Sequence, residues 1–300
     1  MTTDRQESGA QTPGDDRAVN AEPPRSIAGR IWEQVGTLVL AILIAVGIRT
    51  FVIEPFRIPS GSMLPTLLIG DHLFVNKFVF GPRIPFTEIR LPGLRDPERG
   101  DVVVFEVARG EPPRTPTIAP ADKYPDLRRD DFVKRIVGLP GDRISVADGH
   151  ITVNDVAAEQ IASDRTHVDE RGTRLRIHSE ILGDCVHAVL DDPHRNGPEK
   201  HEFVVPEGRY FMVGDNRDYS NDSRNWGTVR LEEMKGPAFI LYWSWSVNGN
   251  ALQFFNPANW FTAEKRWDRV FSRVRCDRVG DEAELESPIP AQATPAPPLD

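Results

Sequence analysis

Residues 132–153 read Phe-Val-Lys-Arg-Ile-Val-Gly-Leu-Pro-Gly-Asp-Arg-Ile-Ser-Val-Ala-Asp-Gly-His-Ile-Thr-Val. Three short β-branched runs, Phe132–Val137, Arg143–Val146 and His150–Val153, are punctuated by Gly-Leu-Pro-Gly and by Asp148-Gly149. That pattern predicts a strand followed by a hairpin. The same signature recurs outside this stretch, in Asp101-Val-Val-Val-Phe105 and Tyr210-Phe-Met-Val213, with Gly and Pro turns between. The fold class is therefore mainly β. A Pro-rich loop is expected from Gly110 to Asp131. The polar, His-containing stretch 154–201 has weak periodicity and reads as an inserted subdomain.

The chain has 300 residues, 39% hydrophobic and 27% charged, with a net charge of −9, enough to bury a sizeable core. The acidic balance argues against nucleic acid as a partner, because phosphate neutralisation needs clustered Lys and Arg. Two cysteines, Cys185 and Cys276, exclude a disulfide scaffold and Cys-rich zinc frameworks; whether they pair is left open. Proline, at 26 residues, is enriched and points to long loops and tails.

Residues 1–26 contain no aromatic side chain and read as a disordered leader. Residues 276–300, with five prolines and six acids against one basic residue, read as an acidic disordered tail. Between Glu33 and Arg49 lies an uncharged apolar run, Gln34–Ile48. It falls short of the roughly 20 residues a bilayer asks for. Apolar residues continue it on both sides, so a transmembrane anchor is expected over 27–53, with Pro55 ending the helix. A cleaved signal sequence, with Ala45-Val46-Gly47 as its cleavage site, is the rival reading. The β-rich domain then runs over 54–275.

Three segments carry candidate chemistry. Pro59-Ser-Gly-Ser-Met-Leu-Pro-Thr66 sets two serines about a glycine, which by itself is a turn. In the strand 132–137, Lys134 shares a face with Phe132 and Ile136, while Arg135 takes the other. A buried lysine is pushed toward its neutral amine. Gly214-Asp-Asn-Arg-Asp-Tyr-Ser-Asn-Asp-Ser-Arg224 is dense in short polar side chains. Its spacing fits no EF-hand, since Arg217 and Tyr219 stand where oxygen ligands are needed, and no phosphate-cradling glycine pattern occurs.

Taken with Arg99-Gly-Asp-Val-Val-Val-Phe105, these segments in this order resemble the bacterial type I signal peptidases, membrane-anchored serine proteases that remove signal peptides from exported preproteins. The resemblance covers roughly residues 51–245. It implies a signal-peptidase-like antiparallel β catalytic domain behind one N-terminal transmembrane helix, in the cytoplasmic membrane, with the catalytic domain on the extracytoplasmic side. Signal peptides and the lipid bilayer are the implied partners, and no metal or cofactor is implied.

By the same resemblance Ser62 is the nucleophile and Lys134 the general base. Ser60 donates to the oxyanion with the Ser62 N–H, Ser220 orients the lysine amine, and Asp222 and Arg224 hold their loop in place. Phe56, Ile58, Pro59, Met63, Leu67, Phe132 and Val133 line the substrate pockets. Because Val133 and Lys134 alternate in an ideal strand, a twist or bulge is expected there. Phe254, Phe255, Trp260 and Phe261, with Tyr242, Trp243 and Trp245, suggest an interfacial aromatic contact. A histidine-based hydrolase is disfavoured, since only His72 lies near Ser62 in sequence and no G-x-S-x-G elbow accompanies it. The Ser–Lys self-cleaving repressors would need a helix-turn-helix. The alternative from another class is a catalytically inactive, membrane-anchored signal-peptide-binding relative.

Overall fold

The computed structural model describes residues 27–84, 87, 89–110, 118–147, 149–169, 172–195, 201–246, 262–279 and 294–295. The expected leader, residues 111–117 of the Pro-rich loop, most of the tail, and Phe254, Phe255, Trp260 and Phe261 lie outside them. The chain forms two compact units, Met1–Val46 and Gly47–Asp300.

Helix α1 spans Ile27–Phe51, about 37 Å at 1.5 Å per residue. Its 18 residues Gln34–Phe51 are long and apolar enough to cross a membrane, and none of them is buried. The helix stops two residues short of the expected Ile53. Pro55 is not its terminator, because the chain has already entered strand β1, Ile53–Arg57. β1 pairs only with β2, Asp71–Asn76, so proline sits on a sheet edge where its missing N–H is tolerated.

The remaining strands are β3 (Val102–Arg109), β4 (Ile118–Pro120), β5 (Arg128–Gly138), β6 (Arg143–Ala147), β7 (His150–Val153), β8 (Val156–Ala157), β9 (Glu159–Val168), β10 (Arg174–Leu182), β11 (Cys185–Asp191), β12 (His201–Val204), β13 (Arg209–Val213), β14 (Val229–Arg230), β15 (Met234–Ser244), β16 (Asp277–Arg278) and β17 (Thr294–Pro295). A short helix, α2, covers Ser223–Trp226. One sheet has the order β1-β2-β15-β3-β5-β13-β14, with β4 on β3. A second is β16-β11-β10-β9-β17, and a third is β12-β6-β7-β8. Among the described residues every strand-to-strand pairing is antiparallel, for example β5 on β3 and β10 on β11. The expected Gly110–Asp131 loop is shorter than its prolines suggested, since β4 and the start of β5 occupy part of it.

The near-continuous apolar run of β3 follows from burial on both faces. Val102 and Val104 pack with Ile58, Met63, Leu67, Leu73 and Leu241. Val103, Phe105 and Val107 pack on the other side with Ile136, Met212 and Trp226. The 154–201 stretch contains a meander, β9-β10-β11. Its weak sequence periodicity has a cause, because β9 is exposed or half-buried along almost its whole length. Only β10 and β11 bury an apolar face, through Leu175, Ile177, Ala188 and Leu190, and they do so against Leu64 and Leu68. Cys185, which opens β11, is disulfide-bonded to Cys276, just before β16.

One buried ion pair joins these parts. Arg135 of β5 donates to Asp215 at 2.8 and 2.7 Å, with both side chains 1% exposed. Arg135 also donates to the Gly100 carbonyl at 2.8 Å, and Thr66 donates to Asp215 at 2.5 Å. Removing one partner of such a pair strands a buried charge. Asp215→Ala is accordingly expected to lower the free energy of unfolding by about 3–5 kcal/mol, read from denaturant titration of the full chain; a loss under about 1 kcal/mol would contradict this role.

Candidate active site

The serines lie on a turn pinned from beneath by apolar anchors. Gly61–Met63 form one turn of 3-10 helix, preceded by Ser60 in extended conformation. Met63 and Leu67 are fully buried in the β-sheet core with Ile58, while Leu64 and Leu68 enter the β10–β11 cluster. Ser60 is left exposed and Ser62 half-buried. A helical turn leaves its first N–H groups without acceptors of their own, and the Ser62 N–H is one of these.

Opposite the turn stands Lys134. Its Nζ donates to Ser62 Oγ at 2.6 Å and to the Val133 carbonyl at 2.9 Å, and lies 5.5 Å from the centroid of the Phe132 ring. The side chain is 3% exposed. Burial pushes its pKa from 10.5 down to about 8, with Arg224 acting in the same direction and Asp222 and Asp215 opposing it. From that value, about one amine in ten is neutral at pH 7. The expected bulge at Val133 and Lys134 is absent, since β5 stays in continuous register with β3 from Arg128 to Arg135. The irregularity lies further on, against β13 between Ile136 and Gly138. Both residues reach the cavity because β5 pairs with β13 only from Arg135 onward. The preceding residues present an open strand edge to the cavity.

The 214–224 segment clasps the serine turn. Asn216 donates its backbone N–H to the Ser62 carbonyl at 3.2 Å and its side-chain amide to the Gly61 carbonyl at 3.0 Å. Asp222, fully buried, accepts from Gly214 N at 3.0 Å and from Arg224 Nε at 2.7 Å. Arg224 also donates to the Arg217 carbonyl at 2.7 Å. Burial works to raise the Asp222 carboxyl, but Arg224, the Gly214 N–H and the Ser220 hydroxyl together hold it below the usual carboxylate range. Arg217 in turn grips Glu180 of β10 at 2.6 and 2.5 Å, tying this loop to the second sheet.

A surface cavity of about 620 Å³ lies over these groups. Pro59, Ser60, Ser62, Phe132, Val133 and Lys134 line it as expected. Ile58, Met63 and Leu67 do not, because the core needs them as anchors, and Phe56 packs on that same core cluster. Ser220 is buried, but among the described residues no hydrogen bond joins its hydroxyl to Lys134, whose amine is already engaged by Ser62 and Val133. Trp245 is a core residue at 1% exposure, and Tyr242 and Trp243 are half-buried. Sequence reasoning missed Asn216, Leu64 and Tyr219, all of which line the cavity. The density of polar residues after Gly214 was the signal for Asn216 and Tyr219, while Leu64 lies within the Pro59–Thr66 segment itself.

A serine hydroxyl hydrogen-bonded to a buried lysine amine, on an antiparallel β domain, is the arrangement of a hydrolase that works without histidine. The family model described as "Signal peptidase, peptidase S26" matches residues 31–243. Signal peptidase I of Pseudomonas aeruginosa is 36% identical over 219 residues, covering 68% of this chain and 69% of its own. Signal peptidase I of Pseudomonas fluorescens is 35% identical, covering 68% and 69%. A probable signal peptidase I-2 of a Synechocystis species is 35% identical, covering 71% and 73%. The chain belongs to the signal peptidase family, peptidase S26. It is a membrane-associated serine endopeptidase that removes signal peptides.

Gly214 has no room for a side chain, since a Cβ there would stand 2.2 Å from Ser220 Oγ and 2.5 Å from the Ser62 carbonyl oxygen. Gly214→Ala is expected to displace the serine turn and to lower kcat/KM by about 100-fold, measured on a preprotein substrate. Wild-type turnover in this variant would show that the two segments do not need their close approach.

Proposed function

We propose that Ser62 attacks the scissile carbonyl of an exported preprotein, with Lys134 as its general base. The 2.6 Å Lys134–Ser62 contact is the observation that carries this reading. In its neutral form the amine lone pair accepts the Ser62 proton, and the resulting ammonium then protonates the leaving amine. The Val133 carbonyl, accepting from Nζ, keeps the lone pair directed at Ser62. A water then repeats the sequence to release the acyl group. No metal or cofactor takes part.

Ser60 Oγ and the Ser62 N–H are the proposed oxyanion donors. Ser60 heads the turn and its side chain caps none of that turn's backbone groups. Asp222 and Arg224 hold the 214–224 loop through the Gly214 N–H and the Arg217 carbonyl. The open edge of β5 offers backbone hydrogen bonds to an extended peptide. Pro59, Phe132 and Val133, with Leu64 and Ile69, give the cavity beside the serine an apolar wall, and small residues are expected before the cut because signal peptides end in A-x-A-like sequence.

The proposed organisation is a cytoplasmic leader over 1–26, an anchor helix over Ile27–Phe51 in the bacterial cytoplasmic membrane, an extracytoplasmic catalytic domain that begins with β1 at Ile53 and includes Cys276 and β16, and an acidic tail after it. Anchoring in the lipid bilayer raises the effective concentration of substrates that arrive by their own apolar segments. Protease protection in spheroplasts tests the orientation; a catalytic domain shielded from external protease would reverse it.

Preprotein cleavage by wild type, Ser62→Ala and Lys134→Ala tests the pair. Both variants are expected to lose at least about 10⁴-fold in kcat, and Ser60→Ala about 100- to 1000-fold. Equal cleavage by all three would remove Ser62 and Lys134 from the mechanism. Binding without cleavage by wild type would favour the inactive relative.

The pH profile carries its own sign. The base must be neutral and its pKa is depressed to about 8, so kcat/KM should fall tenfold per unit below about pH 8 and level off above it. A profile flat from pH 6 to 9 would exclude Lys134 as the base.

A further inference from the structure

The disulfide lies against the framework of the site. Gly100, at φ +93°, is so close to it that a Cβ there would stand 2.5 Å from Cys185 Sγ and 3.0 Å from Cys276 Sγ. The Gly100 carbonyl is the one that Arg135 holds at 2.8 Å, and its N–H donates to the Ile136 carbonyl at 2.8 Å. From Arg135 the connection passes to Asp215 and, one residue on, to Asn216, which bonds the Ser62 carbonyl.

A second route runs along β11. Cys185 opens that strand, and near its far end Leu190 donates its N–H to the Asp215 carbonyl at 2.9 Å. Leu190 also forms a bridge with Asn216. Both routes end on the residues that clasp the serine turn.

The bond is also reachable. A surface cavity of about 600 Å³ is lined by the two cysteines together with three arginines, Arg99, Arg275 and Arg278, and three carboxylates, Glu98, Asp184 and Asp277. Cys276 is half-buried and Cys185 buried, so Cys276 is the more exposed of the two residues.

We propose that the Cys185–Cys276 disulfide is a reducible positioning element of the active site, opened by a dithiol reductant through this cavity, and that its opening lowers kcat rather than substrate binding. The reductant thiolate attacks Cys276 Sγ, the S–S bond breaks, and Cys185 leaves as a thiolate that takes a proton. The second reductant thiol then displaces Cys276 and closes its own disulfide. Two electrons and two protons have passed to the protein.

This inference rests on Ser62 being the nucleophile. The test uses the full chain in detergent, oxidised, treated with dithiothreitol, and reoxidised, with thiols counted and preprotein kinetics measured each time. Two new thiols should accompany a drop of about tenfold in kcat with KM changed less than about twofold, reversed on reoxidation. Cys276→Ser should sit at the reduced level and ignore the reductant.

Failure of thiols to appear without denaturant, or two thiols with unchanged kcat, overturns the proposal. Loss of near-ultraviolet circular dichroism on reduction also overturns it, in favour of a crosslink that only stabilises. Cleavage by Ser62→Ala would instead overturn the nucleophile, leaving the thiol count and the kcat comparison to be read on their own.

Discussion

Arg135 and Asp215 meet through two hydrogen bonds with both side chains 1% exposed, and the segments that build the site converge on this pair. Thr66 from the serine turn bonds Asp215 from the segment after β13, and Arg135 from β5 bonds both Asp215 and the carbonyl of Gly100 from the turn before β3. Taking two charges out of water is costly, and a pair of this kind adds little net stability over an apolar substitute. What it adds is direction, because a planar guanidinium and a carboxylate accept only a narrow range of mutual orientations. Four segments far apart in sequence are thereby held in one register.

The neighbouring residue on the same strand has the opposite environment. Lys134 is almost as buried as Arg135, but it has no carboxylate in direct contact, and its bonds go to a hydroxyl and a carbonyl. Burial without a bonded counter-ion is what lowers the lysine to about 8. Alternation along β5 thus sends one cation to a structural partner and the next to a serine. The nearest histidine to the pair behaves similarly: His187 is buried, and burial, Arg135 and Arg217 together push it well below its ordinary value.

The second sheet contributes more than bulk. Its β10 and β11 bury Leu64 and Leu68 of the serine turn, its Glu180 holds Arg217, and its Leu190 holds the Asp215 backbone. The serine turn is therefore packed between two sheets, with Met63 and Leu67 in one core and Leu64 and Leu68 in another. That explains why Met63 and Leu67, adjacent to the proposed nucleophile, do not reach the cavity.

The class of fold and the helix were legible because each has a local signature, β-branched runs between glycine and proline turns and an uncharged apolar run, whereas Ser62 and Lys134 were singled out as a pair only through the family resemblance of the serine, lysine and glycine-aspartate segments taken together. Side-chain alternation along one strand is likewise a local property, and it separated Lys134 from Arg135. Other features depend on contacts between distant residues. The stretch 154–201 hides its strands because β9 buries too little to show a period. The cysteines' pairing, across 91 residues, follows from where β11 and the chain before β16 meet. Which apolar residues beside Ser62 face the cavity was decided by two cores competing for Met63, Leu64, Leu67 and Leu68. Sequence by itself determined the β-branched strands, the helix and the chemical groups of the site; tertiary structure alone decided the remaining strands and the partners of those groups, because burial and charge pairing arise only when separated segments exclude water together.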